Sequence, residues 1–157
     1  MSEVLRHGEG STEAGAAATE AGKMDCSADE RIVGTWQLTR TRAHDDGGNQ
    51  MHAPYGPLPM GVVMFSADGR MVAVLCDARP QLPLGEDERE YSSYCGNYTF
   101  DGTTLVTRVD AASDRSRLGG EQVRRVRFDG DLLVLMPPPR PWRGVMQHRE
   151  MFFTRIA

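Results

Sequence analysis

Three Asp-Gly pairs, Asp68-Gly69, Asp101-Gly102 and Asp129-Gly130, each stand between two short runs rich in Val, Leu, Thr, Phe and Tyr. Asp-Gly tolerates the positive φ of a tight hairpin turn, so each pair predicts two sequential antiparallel strands. With the runs on either side, the pattern gives eight strands, at about 34–42, 60–66, 70–77, 94–100, 104–111, 121–128, 131–136 and 147–156. Eight short antiparallel strands can close into an up-and-down barrel, which removes both sheet edges and leaves room for one small ligand inside. The expected fold is therefore all-β, an eight-stranded antiparallel barrel, with an open sandwich as the second arrangement.

A chain of 157 residues is long enough for one domain and too short for two ordinary ones. Residues 1–28 are dominated by Gly, Ala, Glu, Ser and Thr without periodic large apolar side chains, and read as a flexible tail. A lid over a bound ligand is the alternative for that segment, and the barrel domain is then 29–157. The prolines and glycines of 43–59 predict an ordered, irregular loop at a barrel mouth. Residues 85–93, GEDEREYSS, read as one or two helical turns opening on acids. Residues 137–142 read as a polyproline-like arm, with the Trp142 ring packed on the barrel in preference to serving as a lid or partner contact.

Several function classes drop out on composition. No apolar run approaches the ~18 residues of a membrane helix, which excludes membrane insertion by that route. A net charge of -4 and a pI near 5.5 supply no positive field for nucleic acid. Cys26, Cys76 and Cys95 are odd in number and lack C-x-x-C spacing, which fits neither a disulfide framework nor a zinc cluster. The opening MSEVLRHGEG lacks the basic start and apolar stretch of a signal peptide, so a reducing cytoplasm is the expected compartment. His7, His44, His52 and His148 show no H-x-H or H-E-x-x-H spacing, and no phosphate-cradling glycine loop or G-x-S-x-G elbow occurs. No metal and no cofactor are expected, and the chain is expected to act as a monomer or homodimer. Of 18 basic residues only Lys23 is lysine, a skew read first as compositional bias and second as a supply of bidentate donors.

Gly34-Thr35-Trp36 opens the first strand, and Arg155 stands at the end of the last. The combination resembles lipocalin-type barrels, in which such a tryptophan closes the floor while a late arginine packs across it. Cation–π contact and donors to the opening turn's carbonyls give the pairing its physical basis. Four further segments are similar, in order and approximate spacing, to the bacterial and fungal lipocalin-like domain family. They are Tyr55-Gly56-Pro57 with Gly61, the hairpin 65–71, Tyr94-Cys95-Gly96-Asn97-Tyr98, and Glu121-Gln122-Val123-Arg124-Arg125. The resemblance covers 30–157 and implies a calycin-type small-molecule-binding barrel with Gly34, Trp36 and Arg155 in structural roles. Where many relatives carry a histidine pair on the fifth strand, this chain has Thr107-Arg108, which departs from any histidine-based chemistry there.

Side chains alternate across a strand, so one inward residue sets the parity of its strand unless a bulge intervenes. Trp36 inward carries Leu38, Arg40 and Arg42 with it. Tyr94, Gly96, Tyr98 and Phe100 share an aromatic face. Val126 and Phe128 carry Gln122 and Arg124 inward and send Arg125 and Arg127 to solvent, while Leu133, Leu135, Met151 and Phe153 line the last two strands. The expected site is an apolar pocket lined by Arg40, Tyr94, Tyr98, Gln122, Arg124, Leu135 and Phe153. It would hold a small hydrophobic or aromatic molecule by an acidic or phenolic end. Because an unpaired buried arginine is costly, Arg124 paired with Glu121, Glu150 or another acid is the competing reading, as are tyrosine hydroxyls bonded to backbone. The resemblance also admits a cofactor-independent cyclase or isomerase working on a polyketide-type intermediate. There Arg124 or Arg40 would stabilise an enolate or oxyanion, and Tyr98, Tyr94 or His148 would move a proton. An interaction protein using the proline-rich arm ranks third.

Overall fold

The computed structural model describes residues 30–157. The expected tail, 1–28, and with it Cys26, lies outside the described residues. Nine strands follow a 3-10 turn at Glu30–Ile32: β1 (Gly34–His44), β2 (Pro59–Phe65), β3 (Arg70–Asp77), β4 (Tyr91–Phe100), β5 (Thr104–Ala112), β6 (Glu121–Asp129), β7 (Leu132–Met136), β8 (Arg140–Trp142) and β9 (Val145–Arg155). β1 to β7 and then β9 pair each with the next, all antiparallel. β9 pairs back on β1, from Trp36 opposite Arg155 to His44 opposite His148, and this closes an eight-stranded barrel.

Where a polyproline-like arm was expected, β8 folds back as a hairpin on the start of β9, Arg140 opposite Gln147 and Trp142 opposite Val145. Arg143 and Gly144, with φ of 49° and 81°, make its two-residue turn. The helical turns expected within 85–93 are also absent, because partners elsewhere hold the acids in an irregular segment. Glu86 accepts from Arg79, Glu90 accepts the Tyr55 N–H at 2.6 Å, and β4 has begun by Tyr91.

Connections differ sharply between the two ends. The three Asp-Gly pairs lie in the short links 66–69, 101–103 and 130–131, all at one end, the floor. Gly69, Gly102 and Gly130 take φ of 89°, 99° and 58°, the conformation for which glycine is needed. The long links 45–58, 78–90, 113–120 and 137–144 all lie at the other end, the mouth.

The floor is built around Trp36. Its indole Nε1 donates to the Ile32 carbonyl at 2.8 Å, and the Arg155 guanidinium lies 4.2 Å from its ring centroid. Arg155 also donates to the carbonyls of Val33 and Arg31, which ties the last strand to the opening turn. Gly34, at φ 138°, sits where a Cβ would overlap Arg155, so no larger residue fits beneath the clamp. Above this floor, Leu38, Phe65, Met71, Phe100, Leu133 and Phe153 fill the closed half of the barrel.

Two bulges reset the parity. Between Leu38 and Arg40 the β1–β9 register slips by one residue, and the extra Thr39 donates its hydroxyl to the Phe152 carbonyl at 3.0 Å. Beyond that point Thr41 and Ala43 face Met151 and Arg149, while Arg40 and Arg42 turn outward. A second slip falls at Cys95/Gly96, where a Cβ on Gly96 would overlap the Arg108 carbonyl oxygen.

On the outside, Arg40 stacks over Phe152 at 3.9 Å, and the buried Glu150 is held by Arg42 at 2.5 Å and Arg127 at 3.2 Å. Burial alone would push the Glu150 carboxyl up, but the two guanidiniums outweigh it and hold it below its usual 4.5. A depressed carboxyl stabilises the fold above its unfolded value and loses that contribution as pH falls through its folded value. Denaturant midpoints should therefore fall as pH drops below about 4.5, less steeply in Glu150→Gln. Trp36→Ala should cost about 3–5 kcal/mol in the same titration at neutral pH. An unchanged midpoint would show that the floor does not depend on this ring.

Candidate functional site

The mouth opens onto a cavity of about 110 Å³ inside the barrel. Its apolar walls come from Tyr55, Leu75, Tyr94 and Met151, and four guanidiniums line it, from Arg117, Arg124, Arg140 and Arg149. Each arrives by a different route. Arg124 follows the inward parity of Val126 on β6, and Arg149 that of Met151 on β9. Arg117 ends the 3-10 turn of the 113–120 link, capped by Asp114, and Arg140 begins β8. The loop residue Tyr55 takes φ 61° and places its buried ring over the opening.

The cluster has few counter-charges. Arg124 donates to the Val123 carbonyl at 2.7 Å and to Gln122 Oε1 at 3.2 Å, and forms no ion pair among the described residues. Among the described residues Arg149 reaches only the Pro138 carbonyl, at 3.4 Å, and its Nε is buried without a partner. Arg117 donates to the Ser92 hydroxyl at 2.9 Å, with Asp114 no nearer than 3.9 Å, and lies 5.4 Å from the Tyr94 ring centroid. Among the described residues Glu90 is the one acid on the cavity wall, and its Oε2 is engaged by the Tyr55 N–H. Burial, then the charges of Arg140 and Arg124, pull the Arg149 guanidinium down to about 10, against weaker opposition from Tyr55 and Glu90. Burial likewise raises the Tyr55 phenol.

The expected site residues divide between three places. Tyr94 and Arg124 line the cavity, and Gln122 orients Arg124. Tyr98 lies deeper, its ring edge-on to Phe65 at 5.2 Å and its hydroxyl donated to the Ser66 carbonyl at 2.9 Å. Leu135 and Phe153 belong to the packed core. Arg40, expected inside, is outside because of the bulge at Thr39. His148 is outside as well, on the Glu150 face, stacked on His44 and 2.7 Å from Asp46. Glu150 does not pair with Arg124, since it serves the opposite face of β9. Thr107 is fully buried with an unpartnered hydroxyl on the inner face, between Tyr98 and Gln122 in register. No group of three or more metal-ligating side chains occurs among the described residues.

The profile of the lipocalin-like domain family matches residues 33–152. The chain belongs to that family. The lipocalin-like fold supports a barrel that binds small molecules. No curated protein matches the chain. A solved structure of an uncharacterized protein from Bacteroides eggerthii DSM 20697 is similar at 14% identity and a TM-score of 0.40. The match covers 80% of this lipocalin-like chain and 99% of that one.

Arg149 was the residue within reach of the sequence, two positions before Met151 on a strand whose parity was already assigned. Arg117 and Tyr55 come from links, where alternation gives no signal. A cation held below its ordinary range destabilises the folded state at neutral pH, since the unfolded chain carries the charge more easily. Arg149 is partly exposed, so solvent screening reduces this to on the order of 1 kcal/mol. Arg149→Met should raise Tm by roughly 2–4 °C in calorimetry. A drop of that size would assign Arg149 to holding the barrel together.

Proposed function

We propose that the barrel holds a small hydrophobic or aromatic molecule whose acidic or phenolic end sits among Arg124, Arg149, Arg117 and Arg140. The observation that carries this reading is the pair Arg124 and Arg149, both facing the cavity with no ion-paired carboxylate among the described residues, one with a buried Nε lacking any acceptor. Buried guanidinium donors are normally satisfied, and a bound carboxylate or phenolate supplies the missing acceptors and charge. Tyr55, Leu75, Tyr94 and Met151 offer apolar contact to the rest of the ligand.

The cyclase or isomerase reading keeps Arg124 and Tyr94 in the cavity. It loses Arg40 and His148 to the outer face, and the Tyr98 hydroxyl to the Ser66 carbonyl. Binding without chemistry is therefore the preferred function. The free thiols of Cys76 and Cys95 suit the reducing cytoplasm proposed as its compartment.

Calorimetric titration with benzoate and its neutral isostere benzamide tests the arginine site directly. Benzoate should bind at least tenfold more tightly than benzamide. Arg124→Met should weaken benzoate roughly ten- to a hundredfold, the equivalent of a charge-assisted hydrogen bond of about 1.5–3 kcal/mol. Arg125→Met, on the outer face of the same strand, should leave affinity unchanged. Equal affinities for the two probes would remove the anion site.

A further inference from the structure

The inner cavity, at about 110 Å³, is smaller than the ~150 Å³ engineered cavity known to hold one benzene ring, so it takes a head group and little more. Outside it lies a vestibule of about 550 Å³ that shares Pro54, Glu90, Tyr91 and Arg140 with the cavity, so the two adjoin at the mouth. One side of the vestibule is aromatic. Trp142 projects from the β8–β9 hairpin, near-parallel to His52 at 11° with 6.3 Å between ring centroids. At that separation the rings are offset, and each leaves part of its face uncovered by the other. The guanidiniums of Arg140 and Arg143 stand 5.6 and 5.7 Å from the Trp142 centroid.

The four acids around the vestibule, Asp77, Glu86, Glu88 and Glu90, are matched by four guanidiniums, those of Arg79, Arg89, Arg140 and Arg143. Asp77 and Glu86 both grip Arg79, and Glu90 accepts the Tyr55 N–H. A tight two-residue turn and the pairing with β9 fix the Trp142 backbone, and His52, Arg140 and Arg143 stand against its ring.

We infer that the vestibule is a second subsite, in which a planar aromatic or conjugated body stacks on Trp142 while the anionic head occupies the arginine cavity. The ligand class is thus an extended, flat aromatic acid or phenol of two or more rings, longer than the inner cavity alone admits. This inference rests on the arginine-cavity reading above and adds the outer half of the ligand.

Three probes separate head from body: benzoate, biphenyl-4-carboxylate and 4-cyclohexylbenzoate. They share the head, and the last two have similar apolar bulk but differ in the flatness of the outer ring. The biphenyl acid should bind about tenfold more tightly than the cyclohexyl acid, a difference in the range of one aromatic pair. It should also quench the fluorescence of Trp142, whereas Trp36, the second of the two tryptophans, lies at the floor and should not respond. Trp142→Ala should abolish the biphenyl preference and the quenching, leave benzoate affinity and Tm unchanged, and Trp142→Phe should restore the preference. If Trp142→Ala changes neither extended acid while Arg124→Met weakens both, the stacking subsite is overturned and the arginine cavity stands. A uniform loss for all three probes in Trp142→Ala that Trp142→Phe does not repair also overturns it. If none of the three acids binds the wild-type protein, the arginine cavity falls, and the subsite with it.

Discussion

A sheet of eight strands keeps two exposed edges until its first and last strands meet, and in this protein everything else depends on that meeting. β1 and β9 pair along nearly their whole length, and the pairing begins at the floor, where Arg155 lies across the Trp36 ring. The guanidinium does two jobs in one position. Its face covers an aromatic surface, and its edge donates to the carbonyls of Val33 and Arg31 beside the opening 3-10 turn. Because Gly34 leaves the space for it, the closure needs a small residue, an indole and a guanidinium at three fixed places. The remaining strands follow by hairpin addition, each edge covered by the next.

With the floor full of side chains, polar function is confined to the open half. Four guanidiniums gathered around about 110 Å³ are an arrangement that folding alone would not favour, since like charges repel and burial lowers the Arg149 guanidinium. On the outer wall the same residue type is spent differently. Arg42 and Arg127 are satisfied by Glu150, and Arg70 by Asp110. Arg124 and Arg149 inside form no ion pair among the described residues, and the proposed binding function rests on that contrast with the outer wall.

Much of this was legible from the residues. The Asp-Gly pairs marked all three floor hairpins, and alternation from Val126 and Phe128 put Arg124 inward and Arg125 outward, as the register has it. Alternation failed on β1 because Thr39 is an extra residue with nothing in its type to announce a bulge. One inserted position exchanges the two faces for every residue after it, which is why Arg40 points away from the cavity. The acids of 85–90 looked like a helix start for a related reason. Local propensity favours a turn there, but Arg79 and the Tyr55 N–H offer stronger partners from distant parts of the chain. Arg117, Tyr55 and Trp142 reach the mouth on links whose course no periodicity describes.

The uneven lengths of the connections divide the molecule into two territories. Short turns at one end fix the register of every strand pair they join, and little can be inserted there without shifting whole faces. The four long links at the other end form the rim of the mouth and contribute little to closure, so additions to them carry only the slow logarithmic cost of longer loops. A library randomised across 45–58, 113–120 and 137–144 would reshape the rim while the scaffold stayed in register. The barrel is in that sense a ready frame for building new receptors, with its variable surface already separated from the part that makes it fold.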